Sequence, residues 1–299
     1  MRTTLILMLL GPVMMVSSGC SASDEGGSLP AVVVTTSILG DVVTNVVNGG
    51  AEVQVIMPIG ADPHDFEPSA RQVAAIRSAD LIVANGLDLE EGLSEVLSAA
   101  VEDGADLLEI GPDVDPLPLE GSGAFDPHVW LDPIRMVNAV DLLVKALEDL
   151  NGSIDWAGRA APYRQELLET DSSIRDSLAF IPGDSRVLFT GHQAFGYFAD
   201  RYDFEVTATI LPGATTMIEP SAASFAEVVE ALEESSAPAV FTDRGESQAL
   251  AEQLIEEVSR EVVLVQLYTG SLGGPGSGAE TYIDMMNWNA EAIAEVFSP

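Results

Sequence analysis

Residues 155–180 read DWAGRAAPYRQELLETDSSIRDSLAF, one uninterrupted helical pattern that stops at Pro182-Gly183. Its roughly 26 residues span about 39 Å at 1.5 Å per residue, enough to cross a molecule of this size. On either side, short aliphatic or β-branched runs alternate with amphipathic stretches. Upstream, strands are expected over 32–36, 53–57 and 81–84, with helices near 38–47, 69–78, 90–101 and 134–150. Residues 111–124 (GPDVDPLPLEGSGA) are rich in Pro and Gly and read as a loop. Downstream, strands over 186–190, 206–210, 239–242 and 262–266 alternate with helices near 194–201, 221–235, 247–258 and 281–297. Such alternation builds βαβ units, parallel sheets with helices on both faces. The fold class expected is therefore α/β: two βα lobes, 31–153 and 183–299, with parallel-type sheets joined by one long helix within 154–182.

The 299 residues are 47% hydrophobic and 20% charged, an ordinary globular mixture rather than a disordered one. The charge balance is extreme. Twelve Lys+Arg face 48 Asp+Glu, a net charge of −36, and Lys145 is the only lysine. Binding of nucleic acid through a basic face is excluded, because this surface repels a phosphate backbone. The amino terminus has its own character: Met1-Arg2, then an apolar run over 4–16 (TLILMLLGPVMMV), then Ser17-Ser18-Gly19-Cys20. This pattern reads as a secretory signal over 1–19. A lone cysteine directly after small residues resembles the bacterial lipoprotein cleavage site, although Ser17 stands where leucine is usual. Cys20 is thus expected to be lipidated at the mature terminus, with 20–30 as a flexible tether. As the only cysteine it excludes an intramolecular disulfide and a cysteine zinc cage. Beyond the signal no apolar run has membrane-spanning length.

Three histidines carry the chemistry: His64 in GADPHDFEP, His128 in DPHVWLDP and His192 in TGHQAF. Each follows a predicted strand or loop and precedes a helix, where parallel sheets place ligand sites. Neutral imidazole is the commonest zinc ligand and suits other borderline transition metals. Each histidine taken alone reads first as a hydrogen-bonded structural residue. Three such placements with no stray histidine favour one shared site, which spacing alone does not prove. Asp65 and Glu67 could serve as partners of an imidazole N–H or as exposed loop acids. Trp130, Phe195, Tyr197 and Phe198 are expected in the core, the acids from Glu227 to Glu234 on a solvated helix face, and Gly270–Gly278 in a loop without phosphate-loop order.

These motifs resemble one family along essentially all of 31–299. PH…EP at 63–68, DPHVWLDP at 126–133, GHQAFGYFADRY at 191–202, EPSA at 219–222 and TYIDMMNWN at 281–289 are similar to the ZnuA/TroA-like (cluster 9) metal receptors of bacterial zinc/manganese ABC importers. The resemblance implies two α/β lobes bridged by a rigid helix, with the metal in the cleft between them. It also implies that His64 and His128 ligate from the first lobe and His192 from the second. Histidine rather than glutamate at the third position favours Zn²⁺ over Mn²⁺, because an imidazole set lacks a hard oxygen. Two departures stand out. Tyr268-Thr269-Gly270-Ser271 has glycine where the family usually supplies a fourth, aspartate ligand, and 111–124 lacks the histidines of many zinc receptors. Asp243 and Glu246, after the strand at 239–242, could complete the site, as could water.

The function expected is a lipid-anchored, extracytoplasmic receptor that performs no chemistry. It would act as a monomer and hand Zn²⁺ to a permease driven by an ATPase subunit. The alternatives are an Mn²⁺ or Fe²⁺ receptor on the same scaffold, a surface adhesin, and a zinc hydrolase with three imidazoles and an activated water. No HExxH or nucleophile motif supports the hydrolase. With an ordinary imidazole pKa of about 6.5, metal release is expected between roughly pH 6 and 5.

Overall fold

The computed structural model describes residues 29–119, 123–245 and 247–298; Cys20, the signal-like segment and Glu246 lie outside them. Strands β1 (Ala31–Val34), β2 (Glu52–Val55), β3 (Leu81–Ala84) and β4 (Leu107–Glu109) form one sheet in the order β2-β1-β3-β4. Strands β5 (Val187–Thr190), β6 (Glu205–Thr209), β7 (Ala239–Asp243) and β8 (Val263–Leu267) form a second in the order β6-β5-β7-β8. Every pairing within both is parallel, with Val32 opposite Val53 and Leu81 in the first and Val240 opposite Leu264 in the second. The two-lobe α/β architecture expected from the alternation is the one observed.

Helices α1 (Ser37–Val47), α2 (Ala70–Arg77), α3 (Ser94–Glu102) and α4 (Pro133–Leu150) belong to the first lobe; α6 (Gly196–Tyr202), α7 (Ala222–Glu234), α8 (Ala249–Glu257) and α9 (Tyr282–Val296) follow the long α5 (Trp156–Leu178). Local signals explain their ends. Thr36, Asp132, Asp155, Ser221 and Thr281 accept hydrogen bonds from backbone N–H groups in the first turns of α1, α4, α5, α7 and α9. Pro133 occupies the first turn of α4, where its missing N–H is harmless.

The long helix is embedded rather than free-standing. Trp156, Ala160, Tyr163, Leu167, Ile174 and Leu178 form a buried stripe at helical spacing. α5 packs on α1, α4 and α9, and one hydrophobic cluster runs from Val32 and Val83 of the first sheet through this helical layer to Phe241 and Leu267 of the second. Each sheet's outer face has its own smaller cluster, around Ile56, Ile76 and Ile82 in one lobe and Phe189, Leu232 and Leu254 in the other. Trp130, Phe195, Tyr197 and Phe198 are core residues, as expected, and Glu227, Glu230, Glu233 and Glu234 are exposed on α7.

Charges reinforce the junction. Arg201 on α6 donates to both oxygens of Asp171 on α5, each at 2.7 Å. Arg135 on α4 donates to Asp132 at 2.6 Å, lies 3.5 Å from Asp200 of α6, and stacks over the Tyr197 ring at 4.7 Å. Asp171 is 7% exposed, so removing its fork-like partner strands a buried carboxylate. Arg201→Met is expected to destabilise the fold by roughly 2 kcal/mol in urea denaturation, and Asp171→Asn to recover part of that loss in the double variant.

Candidate metal centre

The cluster sits beyond the carboxyl ends of the strands, and in the second sheet it lies by the point between β5 and β7 where the strand order reverses. His192 follows β5 by two residues, next to the neighbouring β7, whose last residue is Asp243. His64 lies in the loop after β2, and His128 leads into a 3₁₀ turn over Val129–Leu131 that opens α4. Pro63 and Pro127 hold the chain extended before the two first-lobe histidines.

All three side chains converge. His64 Nε2 lies 3.4 Å from His128 Nε2, and His192 Nε2 lies 3.2 Å from the same atom. One nitrogen of each ring falls within 4.8 Å of the other two. The residues are 3%, 1% and 5% exposed, in chain order. Asp126 Oδ1 accepts the His128 backbone N–H at 3.0 Å and faces Nδ1 of the same residue at 2.7 Å. An oxygen that already accepts the backbone proton fixes the ring as the Nδ1–H tautomer and turns the Nε2 lone pair into the cluster. Trp130 packs edge-on against the His128 ring and donates from Nε1 to Thr269 O in the opposite lobe at 2.7 Å.

Burial governs the protonation states. It pushes His64 down to about 3, helped by the nearby His128, and holds His128 well below its ordinary value, helped by His192. It also pushes Asp126 up to about 7. His64 and His128 thus resist protonation below the window of pH 6 to 5 expected for ordinary rings, because burial leaves an imidazolium poorly solvated.

Asp62, not Asp65 or Glu67, is the acid that touches the His64 segment. Its Oδ1 accepts the His64 N–H at 2.9 Å, while Asp65 and Glu67 are exposed. Among the described residues no carboxylate joins the three-ring cluster. Asp243 lines the same cavity, but Oδ2 accepts the N–H groups of Thr269 at 2.7 Å and Gly270 at 3.1 Å as well as the Thr269 hydroxyl, and Oδ1 accepts from Gly245 at 2.5 Å. It shapes the turn that carries Gly270. The cavity measures about 160 Å³, space for an ion with a few waters and less than the roughly 300 Å³ at which sites for drug-sized molecules begin.

The model of the zinc-uptake complex component A periplasmic family matches residues 32–296. The chain belongs to this family. It is 31% identical over 292 residues to the manganese-binding lipoprotein MntA of Halalkalibacterium halodurans, covering 96% of each chain. It is 32% identical over 274 residues to the zinc-binding protein TroA of Treponema pallidum, covering 88% of this chain and 87% of that one. The solved structure of TroA superposes with a TM-score of 0.84 at 30% identity, over 91% of this chain and all of that one. A manganese-bound periplasmic metal-binding protein from Candidatus Liberibacter asiaticus shares the fold, with a TM-score of 0.80 at 20% identity.

The unfolded chain protonates His64 below about pH 6.5, whereas the folded cluster resists until about 3, so acid favours the unfolded state across that window. Buried acids such as Asp126 titrate in the opposite sense, and a difference between variants isolates the ring. Between pH 7 and 5, the metal-free protein is expected to lose about 2 kcal/mol more stability than His64→Gln, read from denaturation curves at each pH.

Proposed function

We propose that this chain is an extracytoplasmic receptor that captures one divalent transition-metal ion, zinc before manganese, and delivers it to the permease of an ABC importer driven by its ATPase subunit. The observation that carries the reading is the spacing of the imidazole nitrogens. Zinc binds imidazole at about 2.0–2.1 Å, and tetrahedral angles then separate neighbouring ligand atoms by about 3.3–3.4 Å. The spacings of 3.4 and 3.2 Å at His128 match that requirement. Three neutral lone pairs held so close repel one another, and a cation turns that repulsion into attraction. Water, or an acid outside the described residues such as Glu246, supplies the fourth position.

Manganese is the second reading. The relative named for manganese aligns along almost the whole chain, and Asp62 and Asp243 place hard oxygens on the cavity wall. A hydrolase finds less support, since the cavity that exposes the three rings has no room for more than an ion and a few waters. The membrane-spanning part of transport falls to the partner permease; no helix among the described residues is long and apolar enough to cross a bilayer.

Calorimetry on the purified chain is expected to give one Zn²⁺ per molecule. His64→Ala, His128→Ala and His192→Ala should each weaken it by roughly a hundredfold or more, and Asp126→Asn by about 10- to 100-fold through loss of ring orientation. Absence of stoichiometric metal, or a triple-alanine variant that retains it, overturns the receptor. Which ion fills the protein isolated from its native host decides between zinc and manganese.

Anchoring rests on Cys20. Two or more acyl chains hold a protein on a bilayer where one holds only marginally. Intact mass of the native protein is expected to show a chain that begins at Cys20 and carries lipid; a mature chain that starts elsewhere without lipid removes the anchor.

A further inference from the structure

His64 and His192 reach the cluster from different lobes, so an ion held by both leaves only when the lobes part. Opposite walls of the cleft resist that motion differently. One wall is joined through the backbone: Trp130 donates to Thr269 O, Tyr282 donates through its hydroxyl to Trp130 O at 2.7 Å, and the Tyr282 N–H donates to Asp41 Oδ2 at 3.0 Å. These partners belong to helices and turns packed in the shared core, as suits a pivot. The His64 loop meets the second lobe through hydroxyl groups, beginning with the Gly60 N–H, which donates to Ser271 Oγ at 2.7 Å. The Thr216 hydroxyl donates to Asp62 Oδ2 at 2.6 Å, and the Thr215 hydroxyl donates to Glu91 Oε1 at 2.9 Å.

Asp62 is the informative partner because its two oxygens do different things. Oδ1 accepts the backbone N–H of His64, and Oδ2 accepts Thr216 from across the cleft. Thr216 sits in the loop between β6 and α7, and that loop is pinned to the His192 segment: the Gln193 N–H donates to Gly213 O at 2.9 Å and the Leu211 N–H to Gly191 O at 2.8 Å. Hydrogen bonds thus join the His64 backbone to Asp62 and Asp62 to Thr216, and the chain from Thr216 back to Gly213 reaches the hydrogen bond with the residue after His192. Thr216 and Asp62 also line the cavity that the rings face.

We propose that Asp62 and Thr216 are positioning residues that latch the two lobes across the cleft and set how long the captured ion stays. The latch rests on the reading of His64, His128 and His192 as ligands. A single part-exposed hydrogen bond adds little to the stability of a core this large, so its effect falls on the equilibrium between closed and open clefts. Loss of one charge-assisted bond shifts such an equilibrium roughly tenfold. Binding begins in the open cleft and release requires opening, so the dissociation rate carries the change.

Zinc release from the full chain to an excess of a chromogenic chelator, followed by stopped flow, tests the latch in Thr216→Val and Thr216→Ser. Thr216→Val keeps the shape and removes the hydroxyl; Thr216→Ser restores it. Release is expected to be about tenfold faster in Thr216→Val and close to the parent rate in Thr216→Ser, with one zinc per chain and an unchanged melting temperature of the metal-free protein in both. Equal release rates in the parent and Thr216→Val, at equal stoichiometry, overturn the latch. Hydrogen exchange of segments 59–66 and 211–218 in the metal-free proteins reads the same contact without metal. Faster exchange is expected in Thr216→Val, and unchanged exchange overturns the latch. A parent protein that binds no zinc and yet shows the exchange difference points instead to failure of the receptor reading.

Discussion

Three imidazoles held nitrogen to nitrogen in a buried cluster are the constraint around which this molecule is arranged. Each ring is almost fully buried, and His64 and His128 are driven far from the charged state by loss of solvent. Without a cation, the neutral rings face one another with lone pairs that cannot all be satisfied, and His64 Nδ1 is buried without a hydrogen-bond partner. Such an arrangement costs folding free energy, and a cation at the convergence of the Nε2 atoms would offset part of that cost. The rest of the structure can be understood as the means of keeping the rings there: Asp126 fixes one tautomer, Asp62 fixes one backbone, and the paired lobes bury all three rings.

The lobes can perform that task because they are not independent. A hydrophobic layer made of α1, α4, α5 and α9 is shared by both sheets, so the hinge region is itself core. Arg201 and Arg135 tie α6, which follows His192, to Asp171 on α5 and to Asp132 at the start of α4, four residues after His128. Two histidine-bearing segments from different lobes are thereby referred to one rigid element.

Much of this was legible in the residues. Among the described residues, the alternation of β-branched runs with amphipathic stretches located seven of the eight strands and the nine α-helices within a few residues, because helix caps such as Thr36, Asp132 and Thr281 and breaks such as Asn151-Gly152 punctuate the chain locally. β4 escaped because three residues, Leu107–Glu109, are too short to show a period. Convergence of His64, His128 and His192 followed from their common placement after strands or loops and from the family resemblance. Asp62 and Asp126 were invisible as partners, although each stands two residues before its histidine in the pattern Asp-Pro-His. That repeated tripeptide was the available signal: proline extends the chain so that the aspartate turns back to accept the N–H of the histidine. The embedding of α5 was also hidden, because which residues share a core across 100 positions is a property of packing, not of local pattern.

Gly270 shows how departure from a family pattern can follow from the same constraint. A side chain there would begin with a Cβ 3.0 Å from Pro63 Cδ, closer than ordinary contact. Pro63 immediately precedes His64, so any residue larger than glycine pushes on the segment that carries a ring. Asp243 meanwhile saturates the backbone N–H groups of Thr269 and Gly270 and holds the turn in place from behind. The turn can therefore close directly onto Pro63, glycine against proline, with the lobes drawn together by backbone rather than by a ligating carboxylate. Glycine at this position thus permits a closer approach of the two walls than an aspartate side chain would allow.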